Sequence, residues 1–89
     1  MYYTYILKSL KNNSYYIGSC HDLEKRFKKH QNGYVKSTKR YVPWQIVYKE
    51  FFKTLKEARQ KERKIKSWKK RKVIEKLINR GSSTTLLGP

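Results

Sequence analysis

Charge imbalance constrains this chain before any other feature does. It carries 23 Lys and Arg residues against six Asp and Glu, a formal net charge of +17 over 89 residues. A chain so basic repels itself, and something anionic offsets the charge in use. Nucleic acid is the leading candidate, ahead of acidic protein or membrane surfaces. Eighty-nine residues suit one small domain with a modest core. An aromatic share of 15% argues against wholesale disorder. The single cysteine, Cys20, excludes an internal disulfide and a Cys-rich zinc site. No apolar run approaches the ~20 residues of a membrane span. The start, Met1 to Lys8, is too short and too aromatic for a signal peptide. The expectation is therefore a monomer in a reducing cytosol, with no membrane contact.

The chain reads as β–β–α–β–α–α, an α+β domain with a small, mainly antiparallel three-stranded sheet flanked by helices. Residues 2–7, Tyr-Tyr-Thr-Tyr-Ile-Leu, favour a strand. A polar turn at Lys11 to Ser14 joins it to a second strand, Tyr15 to Gly18, as a hairpin. Ser19 or Asp22 can cap a helix that runs to about His30 and stops at Asn32-Gly33. Residues 34–43 read as a mobile loop with little fixed structure. Trp44 to Phe52 suits a third strand. Thr54, with Glu57 three positions later, starts a long helix that breaks near Ser67. Val73, Ile74, Leu77 and Ile78 form a further apolar stripe. The domain is expected over residues 1–80. Residues 81–89, rich in Ser, Thr and Gly, read as a disordered tail or an appended remnant.

Three polar features sit where packing alone would not want them. Glu62 falls within the inward stripe Leu55, Ala58, Glu62, Ile65 and Trp68. A buried carboxylate needs a partner. That partner is either one of the many basic residues or a metal ion. Arg26 and His30 lie four residues apart and share a helix face. Either the Arg faces solvent and the His packs on Phe27, or the two flank an anion. The eight tyrosines are the third feature. They reflect strand propensity, or else one phenol sits near a positive charge that lowers its pKa.

Basic residues also cluster. From Arg59 to Lys72, nine of fourteen residues are Lys or Arg. Arg59, Arg63, Lys66, Lys69 and Lys70 are candidates for phosphate contact, and Lys36, Lys39 and Arg40 extend the basic surface into the loop before Pro43. Phosphate contacts position a duplex without reading it, so sequence selectivity should be weak.

Tyr3-Thr4-Tyr5, ten residues, then Tyr16-Ile17-Gly18, resembles the signature of the GIY-YIG nuclease superfamily, with Tyr3 and Thr4 in place of Gly and Ile. Asp22 to His30 resembles the family's arginine helix, and Glu62 its metal-binding glutamate. The resemblance covers residues 2 to about 78 and is greatest to the small stand-alone bacterial members. It implies a metal-dependent endonuclease acting on nucleic acid, DNA rather than RNA. Tyr5 would help deprotonate the attacking water beside Tyr16, and His30 would pass the proton on. Arg26 would hold the scissile phosphate, and Glu62 would anchor Mg²⁺ or Mn²⁺. The Asn that many members carry beyond the glutamate has no match at Lys72 to Glu75. A non-catalytic nucleic-acid-binding module on the same scaffold is the alternative.

Overall fold

The computed structural model describes residues 1–87, with side chains described to residue 80. Three strands, β1 (Tyr2–Ser9), β2 (Tyr15–Cys20) and β3 (Trp44–Phe52), form one antiparallel sheet in the order β2-β1-β3. Three helices follow the expected order: α1 (Leu23–Gln31), α2 (Leu55–Ser67) and α3 (Arg71–Leu87).

The local signals explain the boundaries. Asn13 takes φ 63° in the β1–β2 turn, a conformation that Asn tolerates better than most residues. Asp22, rather than Ser19, caps α1 by accepting the Lys25 N–H at 3.1 Å. Ser19 is instead drawn into β2, which runs two residues past Gly18. Gly33, at φ 76°, closes α1 in a Schellman turn, with Gly33 N–H on the His30 carbonyl and Tyr34 N–H on that of Lys29. Thr54 caps α2 through the Glu57 N–H at 3.2 Å.

Strand alternation divides the molecule into two layers of contact around the sheet. Tyr3, Tyr5 and Leu7 of β1 lie opposite Cys20, Gly18 and Tyr16 of β2, and this face carries α1. Tyr5, Leu7, Leu23 and Trp44 are its buried core, with Phe27 and Ile46 packed against them. The alternate residues, Thr4 and Ile6, face α2. The Thr4 hydroxyl donates to the Ala58 carbonyl at 2.6 Å, and Ile6, Ala58 and Ile65 are fully buried. At the start of α3, Arg71 lies 4.3 Å above the Tyr15 ring and donates to the Asn13 carbonyl at 2.7 Å, which fastens α3 to the hairpin.

The segment between α1 and β3 departs from the expectation of a loop with little fixed structure. It contains a 3₁₀ turn at Lys39–Tyr41, and Thr38 is fully buried within it. The Trp44 indole N–H donates to the Thr38 carbonyl at 2.9 Å, and its backbone N–H donates to Gln31 Oε1 at 2.5 Å. Trp44 thus supplies the apolar weight and the hydrogen bonds that hold this polar segment down. At the other end of the chain, α3 continues through residues 81–87, which were expected in a tail because Gly, Ser and Thr are poor helix formers. Residues 88–89 lie outside the described residues.

Candidate active site

Tyr5 is the hub of the site. It stands on the central strand, 1% exposed, with its ring lying over Gly18 of the neighbouring strand. A Cβ at Gly18 would come within 2.6 Å of the Tyr5 oxygen, so only glycine leaves room for this ring. The Tyr5 oxygen lies 3.0 Å from His30 Nε2, and His30 is itself fully buried. Tyr16 packs on the His30 ring with centroids 5.0 Å apart, and on Tyr5 at 6.4 Å.

Arg26 reaches the same place from α1, one helical turn before His30. Its guanidinium interacts with the Tyr5 and Tyr16 hydroxyls, and this raises its already high pKa against an opposing effect of burial. Arg26 forms no ion pair with a carboxylate among the described residues. One reading of the tyrosines put a phenol near a positive charge that lowers its pKa, and Arg26 is such a charge. It does pull Tyr5 downward, but burial is the larger effect, and the Tyr5 pKa is pushed up to about 12. Burial, followed by the charge of Arg26, brings the His30 pKa down to about 4. The imidazole is therefore neutral near pH 7, and the phenol keeps its proton. Cys20 lies at the rim; burial pushes its thiol up to about 11, against the pull of Arg26.

Glu62 is placed elsewhere. The resemblance implied that it acts on the same phosphate as Arg26 and the two phenols. It lies on the α2 side of the sheet; helical spacing marks a residue as inward without saying which face it meets. Ser19, which alternates with Gly18 along β2, donates to Glu62 Oε1 at 2.5 Å. Lys66 donates to Oε2 at 2.7 Å from one turn later on α2. Burial pushes the carboxyl upward, but hydrogen bonds from Lys66 and Ser19, with the charges of Lys66 and Arg59, bring it below the usual range. Glu62 is thus an ionised carboxylate, with its side chain 20% exposed.

The two groups meet only at the end of β2. Gly18 backs Tyr5, Ser19 holds Glu62, and Cys20 lies within the field of Arg26. Since β2 is an edge strand, its outer rim borders both faces. Among the described residues, no three His, Cys, Asp or Glu side chains gather as a metal cluster. A hard cation held by one carboxylate and several waters needs no such cluster. Glu62 has the charge for that mode, one oxygen braced by Ser19 and the other held by the exposed ammonium of Lys66.

The predicted phosphate-contacting residues are all exposed, in two groups. Arg59, Arg63 and Lys66 form a row along α2, followed by Lys69 and Lys70 at its end. Lys36, Lys39 and Arg40 surround Thr38 on the α1 side. Arg59 and Arg63, with Leu55, Lys56 and Gln60, line a shallow groove of about 280 Å³. A larger groove, of about 670 Å³, opens between β1, β3 and the start of α1, lined by Tyr3, Asp22, Phe27 and Lys49 among others. None of Tyr5, Tyr16, Arg26, His30 or Glu62 lines it. No helix of the described residues is long and apolar enough to cross a membrane.

Two participants were missed in the sequence. Thr38 gave no signal, being a small polar residue in a lysine-rich stretch. Ser19 gave one, since strand alternation sets it opposite in facing to Gly18.

Comparison with known proteins identifies the family and the fold. The GIY-YIG catalytic domain matches residues 1–77. A UPF0213 protein of Staphylococcus saprophyticus is 44% identical over 81 residues, covering 90% of this chain and 96% of that protein. A UPF0213 protein of Clostridium perfringens is 46% identical over 67 residues, covering 74% of this chain and 71% of that one. The solution NMR structure of a UPF0213 protein from Bacillus halodurans has a TM-score of 0.56 and 32% identity, covering 91% of this chain and 87% of that chain.

Proposed function

Because the chain belongs to the GIY-YIG catalytic-domain family, and within it to the small UPF0213 proteins, we propose that it is a divalent-metal-dependent endonuclease that hydrolyses phosphodiester bonds in nucleic acid, DNA in preference to RNA. One observation carries the reading. Arg26 is a half-buried cation without a carboxylate partner among the described residues, set beside a phenol hydrogen-bonded to a neutral imidazole. Such a cation suits an anion brought by a ligand, and a guanidinium suits phosphate.

We assign the residues these roles. A phosphodiester at Arg26 places its phosphorus near the Tyr5 oxygen. A water attacking there gives its proton to Tyr5 as Tyr5 gives its own to His30 Nε2. The Tyr5 proton count is unchanged, and the imidazole carries the charge. Burial and the charge of Arg26 both hold the His30 pKa low. A bound phosphate anion offsets the second of these, so His30 becomes a better acceptor only when substrate is present. Arg26 neutralises charge that builds on the phosphate oxygens. Glu62 would hold the cation, Mg²⁺ or Mn²⁺, at the rim of β2. When bound, the metal supplies electrostatic stabilisation of the leaving 3′-oxygen. The exposed cations on α2 and in the 34–43 segment supply affinity for the flanking backbone.

The test is cleavage of branched, nicked and single-stranded DNA, with RNA counterparts, in Mg²⁺ or Mn²⁺. The expected result is metal-dependent cleavage that is lost in Arg26→Ala and in Glu62→Ala. Cleavage that survives both substitutions overturns the reading. Salt-sensitive binding without cleavage replaces it with a binding module on the same scaffold.

A further inference from the structure

Thr38 is buried beyond anything its neighbours Lys36, Ser37 and Lys39 would lead one to expect. It is fully inaccessible, and its Oγ1 lies 2.7 Å from His30 Nδ1, on the far side of the imidazole from Tyr5. Its backbone is fixed as well. The Thr38 carbonyl accepts from the Trp44 indole N–H at 2.9 Å and from the Tyr41 N–H at 3.1 Å, and its own N–H donates to the Val35 carbonyl at 3.1 Å. The hydroxyl is thus held in place from β3 and from its own turn.

Two constraints set the proton on the ring. The first comes from the Thr38 side. The hydroxyl donates to the Val35 carbonyl at 3.3 Å, an atom that can only accept. With its hydrogen directed there, Oγ1 serves His30 as an acceptor, which requires a hydrogen on Nδ1. The second comes from the Tyr5 side. The phenol oxygen lies 3.0 Å from His30 Nε2, and the Arg26 guanidinium whose charge acts on it has donors and no acceptor. The phenol hydrogen therefore goes to His30, which requires a bare Nε2. The same tautomer satisfies both ends. In the other one, Nε2–H points at the Tyr5 oxygen and the phenol hydrogen loses its acceptor.

We propose that Thr38 is a positioning residue that holds His30 in the Nδ1–H tautomer, so that Nε2 accepts the proton of Tyr5. Its catalytic meaning rests on the nuclease reading above; the tautomer itself does not. Thr38 is sealed from solvent and acts only through the ring.

The test is ¹⁵N–¹H correlation of the histidine side chains in the full chain at neutral pH. His30 should show a protonated, pyrrole-type Nδ1 and a pyridine-type Nε2. Thr38→Ser should keep that pattern and the cleavage rate. Thr38→Val should lose it and lower kcat by roughly tenfold or more with KM little changed. A protonated Nε2 in the unsubstituted protein overturns the proposal, and this holds even where Thr38→Val fails to fold. A Thr38→Val protein that keeps the Nδ1–H signature overturns it too. The Nδ1–H pattern in a protein that cleaves nothing upholds the tautomer and counts against the nuclease reading alone.

Discussion

The ring of Tyr5 occupies the space that a side chain on Gly18 would need, so that a methyl group there would meet the phenol oxygen at 2.6 Å. The contact involves the ring of a buried residue on the central strand, which has little freedom to retreat. Gly18→Ala should therefore push the phenol away from His30. The expected destabilisation is about 1–3 kcal/mol, typical of overpacking, and the shift should lower cleavage by about a hundredfold. Urea unfolding and single-turnover cleavage check the two effects separately.

Acid should weaken the fold through His30. Its pKa is about 4 in the folded protein against an ordinary 6.5, so the unfolded chain takes up the proton more readily. The stabilisation is complete above about pH 6.5, falls as pH drops through the interval, and levels off below about pH 4. Allowing for screening by water, about 2 kcal/mol should be lost across that window. Urea midpoints between pH 7 and pH 4 measure it, and His30→Asn should flatten the slope in this range. Glu62 acts only at lower pH, because its carboxyl lies below the usual range when folded.

Lys66 competes with any metal at Glu62. Its ammonium lies 2.7 Å from Oε2 and is itself half exposed, an arrangement typically worth less than about 1 kcal/mol. Lys66→Gln should therefore tighten Mn²⁺ binding by about two- to fivefold, and Glu62→Gln should abolish it. Titration calorimetry in the absence of nucleic acid reads both. Unchanged affinity in Lys66→Gln would place the metal away from this carboxylate.

The exposed row along α2 and just past its end should act through charge alone. Arg63→Ala and Lys70→Ala should each weaken binding to duplexes of any sequence, and each should reduce the slope of log K against log salt by about 0.9. Fluorescence anisotropy over a salt series reads this. A loss confined to one sequence would identify a base contact instead.

Much of this organisation was legible in the sequence. Caps, glycines and alternation gave the three strands and the first two helices within a few residues, but not the end of the third. The four-residue spacing put Arg26 and His30 on one helix face, and the family resemblance set them beside Tyr5 and Tyr16. The failures have a common physical origin. A helical stripe records that Glu62 turns inward, but the face it meets depends on how α2 crosses the sheet, a tertiary fact with no local signal. Thr38 was hidden for a related reason. Its burial is imposed by Trp44, six residues later, whose indole draws the segment inward.

Thr4 and Tyr5 are joined by a single peptide bond, yet one is fastened to α2 and the other to His30. A slip of β1 by one position would exchange them, sending a bulky phenol under the Ala58 carbonyl and leaving a short hydroxyl facing the imidazole. Packing and chemistry would fail together. The strand thus checks its own alignment: a misaligned molecule is also a poorly packed one, so a chain that folds soundly has already brought its phenol to the right side.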